Sequence, residues 1–231
     1  MSCKRADAMI LRLPRVLNDH RGLLLFLALM LCVRAAVADF NDVPSASMHP
    51  TIVEGDRVLV NRLAYDLKLP LAGIVLARLG EPARGDVVVF RSTAAGTRLI
   101  KRVVGLPGET VALRDNRLYV DGLAADYDLV GQGADGGVLA SERLGAMRHG
   151  IRLAPRPAPV AWFGPVTVPA DHYLVLGDYR DNSADSRSYG LVPRAELSGR
   201  AERVLFSLDY GRWLRPRPER FWLSLDGSPP T

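Results

Sequence analysis

From Asp39 onward the apolar residues of this chain come in short, often β-branched runs, each closed within a few residues by glycine, proline or an Asp/Asn pair. Short runs bounded by turn residues read as strands rather than helices. Gly55–Arg62 follows a turn at Glu54-Gly55-Asp56 and puts Val58 and Val60 on one face. Arg84-Gly85-Asp86 turns into Val87–Phe90, a β-branched run suited to a buried strand. Leu99–Val104 ends at Gly105-Leu106-Pro107-Gly108, and Thr110–Val120 reads as a hairpin about Asp115-Asn116. Strand signals resume at Val166–Val168, Tyr173–Leu176, Leu191–Pro193 and Gly199–Phe206. With 21 glycines and 16 prolines in 231 residues, the pattern favours an all-β or mixed, turn-rich architecture with a sizeable core. Tyr65–Ala77 is undecided. Asp121–Pro165 loses periodicity and reads as a loop-rich inserted subdomain, and Gly177–Gly190 as a long polar loop. The division expected is 39–120 with 166–210 as a β core, 121–165 as the insert and 211–231 as a tail.

The N-terminus has another character. Lys4, Arg5, Arg12, Arg15 and Arg21 precede a continuously apolar stretch, Gly22–Val33, which Arg34 interrupts before Ala35–Ala38. Gly22–Ala38 reaches the lower length limit for one transmembrane helix if Arg34 snorkels outward. Basic residues ahead of the run place 1–21 in the cytoplasm and the body outside. A cleaved secretory signal is the competing reading, since Ala36-Val37-Ala38 matches its cleavage pattern. The net charge of +5 admits a nucleic-acid or an anionic-membrane partner. No DNA- or RNA-binding motif is visible and much of the basic excess sits before the apolar run, so lipids are the expected partner and nucleic acid is not. Cys3 and Cys32 both lie N-terminal, leaving no disulfide framework or thiolate metal site in the body. In the tail, Trp213, Phe221 and Trp222 among arginines suit a membrane interface or a surface packing strip.

One stretch stands apart. Pro44–Ile52, PSASMHPTI, is poor in both helix and strand formers, and an extended backbone would point Ser45 and Ser47 the same way. A serine needs a base to act as a nucleophile. His20, His49, His149 and His172 form no triad pattern, and there is no GxSxG elbow. His49 is too near Ser47 along the chain and reads as an exposed loop residue. Lys101 sits between Leu99 and Val103 on one strand face, with Ile100 on the other and Arg102 free to reach solvent. A lysine neutralised by apolar burial carries a usable lone pair, and Ser-Lys is a known pairing. On spacing alone, a snorkelling strand lysine is an equal reading.

PSASMHPT resembles the nucleophile motif of type I signal peptidases, the membrane-anchored serine proteases that remove signal peptides. RGDVVVF (84–90), KRVVGLPGE (101–109) and GDYRDNSADSRSYG (177–190) resemble that family's later motifs in its order. The resemblance implies a mainly β fold: an antiparallel β-sheet catalytic domain preceded by one N-terminal transmembrane helix. It implies Ser47 as nucleophile, Lys101 as general base, and Ser45 with the Ser47 N–H as oxyanion hole. Ser183 would orient the Lys101 amine, Asp185 and Arg187 would rigidify their loop, and Asp178 would be a further structural acid. Val43, Val89 and Ile100 would line pockets for small residues. Signal peptides of exported preproteins are the implied substrates, with no cofactor or metal. Tyr179, where the family commonly has asparagine, Leu99, where a polar aromatic is frequent, and the single short anchor depart from the pattern. Alternatives are a relative specialised for one pilus or conjugation substrate, a repressor-type autoprotease, and a non-catalytic tethered binding protein.

Overall fold

The computed structural model describes residues 20–24, 26, 30, 38–69, 74–133 and 135–226. It is built mainly of antiparallel strands. A nine-stranded sheet runs in the order Ala38–Asp42, Asp56–Asn61, Leu197–Asp209, Val87–Ser92, Thr97–Gly105, His172–Leu176 and Val192–Pro193. Two short strands, Arg215–Pro216 and Leu223–Ser224, add to Leu197–Asp209. A four-stranded sheet holds Phe163–Thr167, Thr110–Arg114, Arg117–Val120 and Leu123–Ala124. Among the described residues no helix is long and apolar enough to cross a membrane. Most of the anchor expected over 22–38, and both cysteines, lie outside the described residues.

The strands form where apolar side chains bury on the sheet's faces. Val87 and Val89 enter a cluster with Val43, Met48, Ile52, Val58, Val60 and Val204. Val88 and Phe90 enter another with Tyr65, Val103, Tyr173 and Val175. Each such side chain contributes about 1.5–3 kcal/mol of transfer free energy. The 110–120 hairpin forms as its turn chemistry demands: Asp115 and Asn116 both adopt positive φ, 50° and 61°, as a two-residue primed turn requires. Tyr65–Ala77 resolves into a ribbon pairing Asp66–Lys68 with Val75–Arg78.

Two expectations are corrected. The 121–165 region is not loop-rich: Asp126–Gln132, Val138–Leu144 and Met147–Leu153 form a three-stranded antiparallel sheet. Its first strand is largely exposed, so charged residues and Gly131 occupy it and no apolar run marks it. Arg102 does not reach solvent. It is 1% exposed, because both faces of the Thr97–Gly105 strand are covered from Lys101 onward.

Candidate active site

Ser45 is extended, and the chain then tightens into a 3-10 turn at Ala46–Met48. Side chains two apart on a strand are separated by about 6.5 Å; the turn draws the Ser45 and Ser47 hydroxyl oxygens to 3.3 Å. Ser47 faces the sheet, and Lys101 Nζ lies 2.6 Å from its Oγ. Lys101 comes from the Thr97–Gly105 strand, paired with Val88, in the layer that holds Leu99, Phe90 and Val103. It is 3% exposed. Burial pushes its amine down to about 8, against the opposing pull of Asp185 and Asp178. A buried amine brought down to about 8 carries a neutral fraction near physiological pH, and one that touches a hydroxyl is able to accept that hydroxyl's proton.

The pair opens onto a cleft of about 290 Å³ walled by two extended segments, residues 41–45 and 97–101. Val43 and Ile100 line it; Val89 does not, being packed in the core behind them. On the cleft side the 97–101 segment carries no described ladder, since the register with His172–Leu176 covers only Arg102 to Gly105. It presents backbone groups that an extended peptide can pair with.

Beneath the pair runs a buried polar network. Arg102 donates through Nε and Nη2 to Asp178 at 2.9 and 2.8 Å, and through Nη1 to the Gly85 carbonyl at 2.8 Å. Burial alone raises the Asp178 pKa, but the Arg102 guanidinium and hydrogen bonds to the carboxylate bring it below the ordinary range. Thr51 Oγ1 donates to the same carboxylate at 2.5 Å. The Tyr179 N–H donates to the Ser47 carbonyl at 3.1 Å. The backbone of the turn bearing Ser47 and the strand carrying Lys101 are therefore held by one loop.

Asp185 accepts from the Gly177 N–H at 2.9 Å and from Arg187 Nε and Nη2 at 2.8 and 2.7 Å. Arg187 also donates to the Arg180 carbonyl at 2.7 Å. Ser183 lies in the same loop, close enough that a Cβ on Gly177 would sit 2.2 Å from its Oγ and 2.5 Å from the Ser47 carbonyl. Its hydroxyl is buried and makes no hydrogen bond among the described residues, so the expected bond from Ser183 to Lys101 is not formed in this geometry. His49 is half-buried rather than exposed, with Nε2 2.8 Å from Glu54 Oε2.

Thr51 and the cluster behind Asp178 carry no functional mark in the sequence. There Glu142 binds Arg180 at 2.6 Å, and His149 Nε2 lies 3.5 Å from Glu142 and 3.6 Å from Asp178. Burial, with Arg102 beside it, pushes His149 down to about 4. It is neutral at physiological pH. Its only sequence signal is a histidine two residues before Ile151 in a strand that carried no other mark. Among the described residues no group of three His, Cys, Asp or Glu side chains is arranged to hold a metal ion.

A family model, signal peptidase, peptidase S26, matches residues 19–206. The chain belongs to this family. It is a serine endopeptidase by that membership. The signal peptidase I of Pseudomonas aeruginosa is 40% identical over 209 residues, covering 84% of this chain and 74% of the relative. That of Pseudomonas fluorescens is 34% identical over 237 residues, covering 94% and 81%. A crystal structure of a signal peptidase I from Enterococcus faecalis is 30% identical and covers 52% of this peptidase and 97% of its own chain, with a TM-score of 0.35.

Proposed function

We propose that this S26 peptidase removes signal peptides from exported preproteins after Ala-x-Ala-like sites, with Ser47 as nucleophile and Lys101 as general base. The observation that carries the reading is the 2.6 Å contact between Ser47 Oγ and an amine that burial holds near pH 8. The substrate's cleavage region adds as a strand between residues 41–45 and 97–101, its backbone pairing giving affinity and the small cleft giving selectivity for small side chains. Lys101 takes the Ser47 proton as Oγ bonds to the scissile carbonyl carbon. The Ser47 N–H and the Ser45 hydroxyl donate to the oxyanion, a device typically worth about 3 kcal/mol per donor. The ammonium then protonates the departing amine, which leaves as the mature protein's N-terminus. Lys101 next deprotonates a water, which attacks the acyl ester and frees Ser47. The buried Ser183 hydroxyl is available to orient the amine in that cycle, and Asp178, Asp185 and Arg187 hold the loop that carries it.

The reading places the peptidase in the cytoplasmic membrane, crossing once over 22–38, with the N-terminus cytoplasmic and the catalytic domain outside. Its support is the basic segment before the apolar run and the aromatic surface of the tail, where Trp213 is 100% and Trp222 60% exposed. The test is to incubate purified full-length protein with a preprotein bearing one Ala-x-Ala site and to map the product by mass spectrometry. A single cut directly after that site is expected. Cuts elsewhere, or none in the presence of lipid, would overturn the assignment. N-terminal sequencing of the membrane-extracted protein tests the anchor: a start at Asp39 would show that it is lost by cleavage after Ala38.

A further inference from the structure

The family match ends at residue 206, yet the tail beyond it reaches the 51–56 loop that follows the turn bearing Ser47. After Leu197–Asp209 the chain doubles back along that strand, pairing through Arg215–Pro216 and Leu223–Ser224. Between these two strands, Pro218–Arg220 forms a 3-10 turn. From it Arg220 forks onto Asp56, with Nε to Oδ1 at 3.0 Å and Nη2 to Oδ2 at 2.6 Å. The same Nη2 donates to the Thr51 carbonyl at 2.9 Å. Asp56 is fully buried and also accepts the Val53 N–H at 2.9 Å. Arg217 donates to the Glu54 carbonyl at 2.9 Å and is anchored by Asp209 at 3.2 Å. Leu225, one strand further on, packs against the core cluster that contains Met48 and Ile52.

Thr51 is thus gripped from two sides. Its carbonyl is held by the tail's Arg220, and its hydroxyl by Asp178, the partner of Arg102 beside Lys101. The Ile52 N–H donates to the Met48 carbonyl at 3.0 Å, which passes the constraint on to the turn bearing Ser47. A planar guanidinium suits this place because it spans a carboxylate and a carbonyl at once, which an ammonium does not do in the same geometry.

We propose that Arg220, seconded by Arg217, is a positioning residue: the C-terminal tail clamps the 51–56 loop and so fixes Ser47 against Lys101. The proposal rests on the reading of Ser47 as nucleophile. A displacement of about 1 Å in such a pair is enough to cost about a hundredfold in rate, so the tail sets turnover rather than substrate affinity.

The test uses the full-length protein and an Ala-x-Ala preprotein, with rates expressed per folded molecule. Arg220→Ala is expected to lower kcat at least about tenfold with KM changed by less than about twofold. Added guanidinium ion restores part of that loss. Arg220→Lys keeps the charge and stays impaired. Leu118→Ala, which hollows a different core cluster, lowers stability and leaves kcat per folded molecule unchanged. A wild-type kcat in Arg220→Ala overturns the proposal, as does a loss fully accounted for by the unfolded fraction and unmoved by guanidinium. If Arg220→Ala does not fold, Arg220→Lys decides alone, and a wild-type kcat there overturns it. Ser47→Ala run in parallel separates the two assignments. If it cleaves normally, the nucleophile is wrong; if it is inert while Arg220→Ala turns over normally, only the clamp is.

Discussion

Lys101→Met is expected to abolish preprotein cleavage and, at neutral pH, to make the protein more stable. The activity loss is that of a base removed from a nucleophile-base unit, about a thousandfold or more, and Ser47→Ala should match it because the two act together. The stability gain follows from the sign of the lysine's shift. Burial lowers its pKa from 10.5 to about 8 in the folded state. Between those values the unfolded chain binds the proton more tightly, so stability rises with pH across that window. Below about pH 8 the full penalty is present, and a displacement of this size is worth about 3 kcal/mol. Methionine fills similar space with no charge to desolvate. Thermal or denaturant unfolding of both proteins should therefore show the variant ahead at pH 7, with the gap closing as the pH passes from about 8 toward 10.5. A variant that is inactive because it is unfolded would contradict this, and so would a variant that is stable and still cleaves.

Asp178→Ala is expected to be the most damaging change outside the proposed Ser47–Lys101 pair. Among the described residues it leaves the buried Arg102 guanidinium the Gly85 carbonyl and a 3.4 Å contact to Thr51. It also frees the Thr51 hydroxyl, which donated at 2.5 Å. Removing one partner of a buried ion pair costs about 3–5 kcal/mol because the remaining charge is uncompensated, a large share of the stability of an ordinary domain. Cleavage should fall in the molecules that remain folded, since Arg102 adjoins Lys101 and Thr51 lies in the loop that follows Ser47. Replacing both partners, with Arg102→Met added, should recover stability but not full activity. Denaturant midpoints of the two single variants and the double variant form the cycle. Additive losses would show that the pair is not coupled.

How much of this was legible varies with how local each feature is. The 110–120 hairpin was readable because Asp115-Asn116 suits a primed turn and the flanking runs are apolar. Val87–Phe90 was readable because four consecutive large apolar residues fit a strand buried on both faces. The sheet of Asp126–Gln132, Val138–Leu144 and Met147–Leu153 was not: an exposed face tolerates charge and glycine, which erases the period. Strand alternation put Arg102 opposite Lys101, but it says nothing about what covers that face, so the buried pair with Asp178 went unseen. Ser47 and Lys101 stand 54 residues apart: the apolar strand face marks Lys101 as a candidate base, and the resemblance decides between that and a snorkelling lysine. Arg217 and Arg220 carried no signal because their partners, Glu54 and Asp56, lie more than 160 residues away.

The central claim is that a lysine whose pKa burial lowers to about 8 activates Ser47, and the pH dependence of kcat/KM for preprotein cleavage tests it most directly. The rate is expected to level off above an apparent pKa of about 8 and to fall about tenfold for each pH unit below it. A profile that is flat across that point, or one that keeps rising to the ordinary lysine value of 10.5, would contradict it.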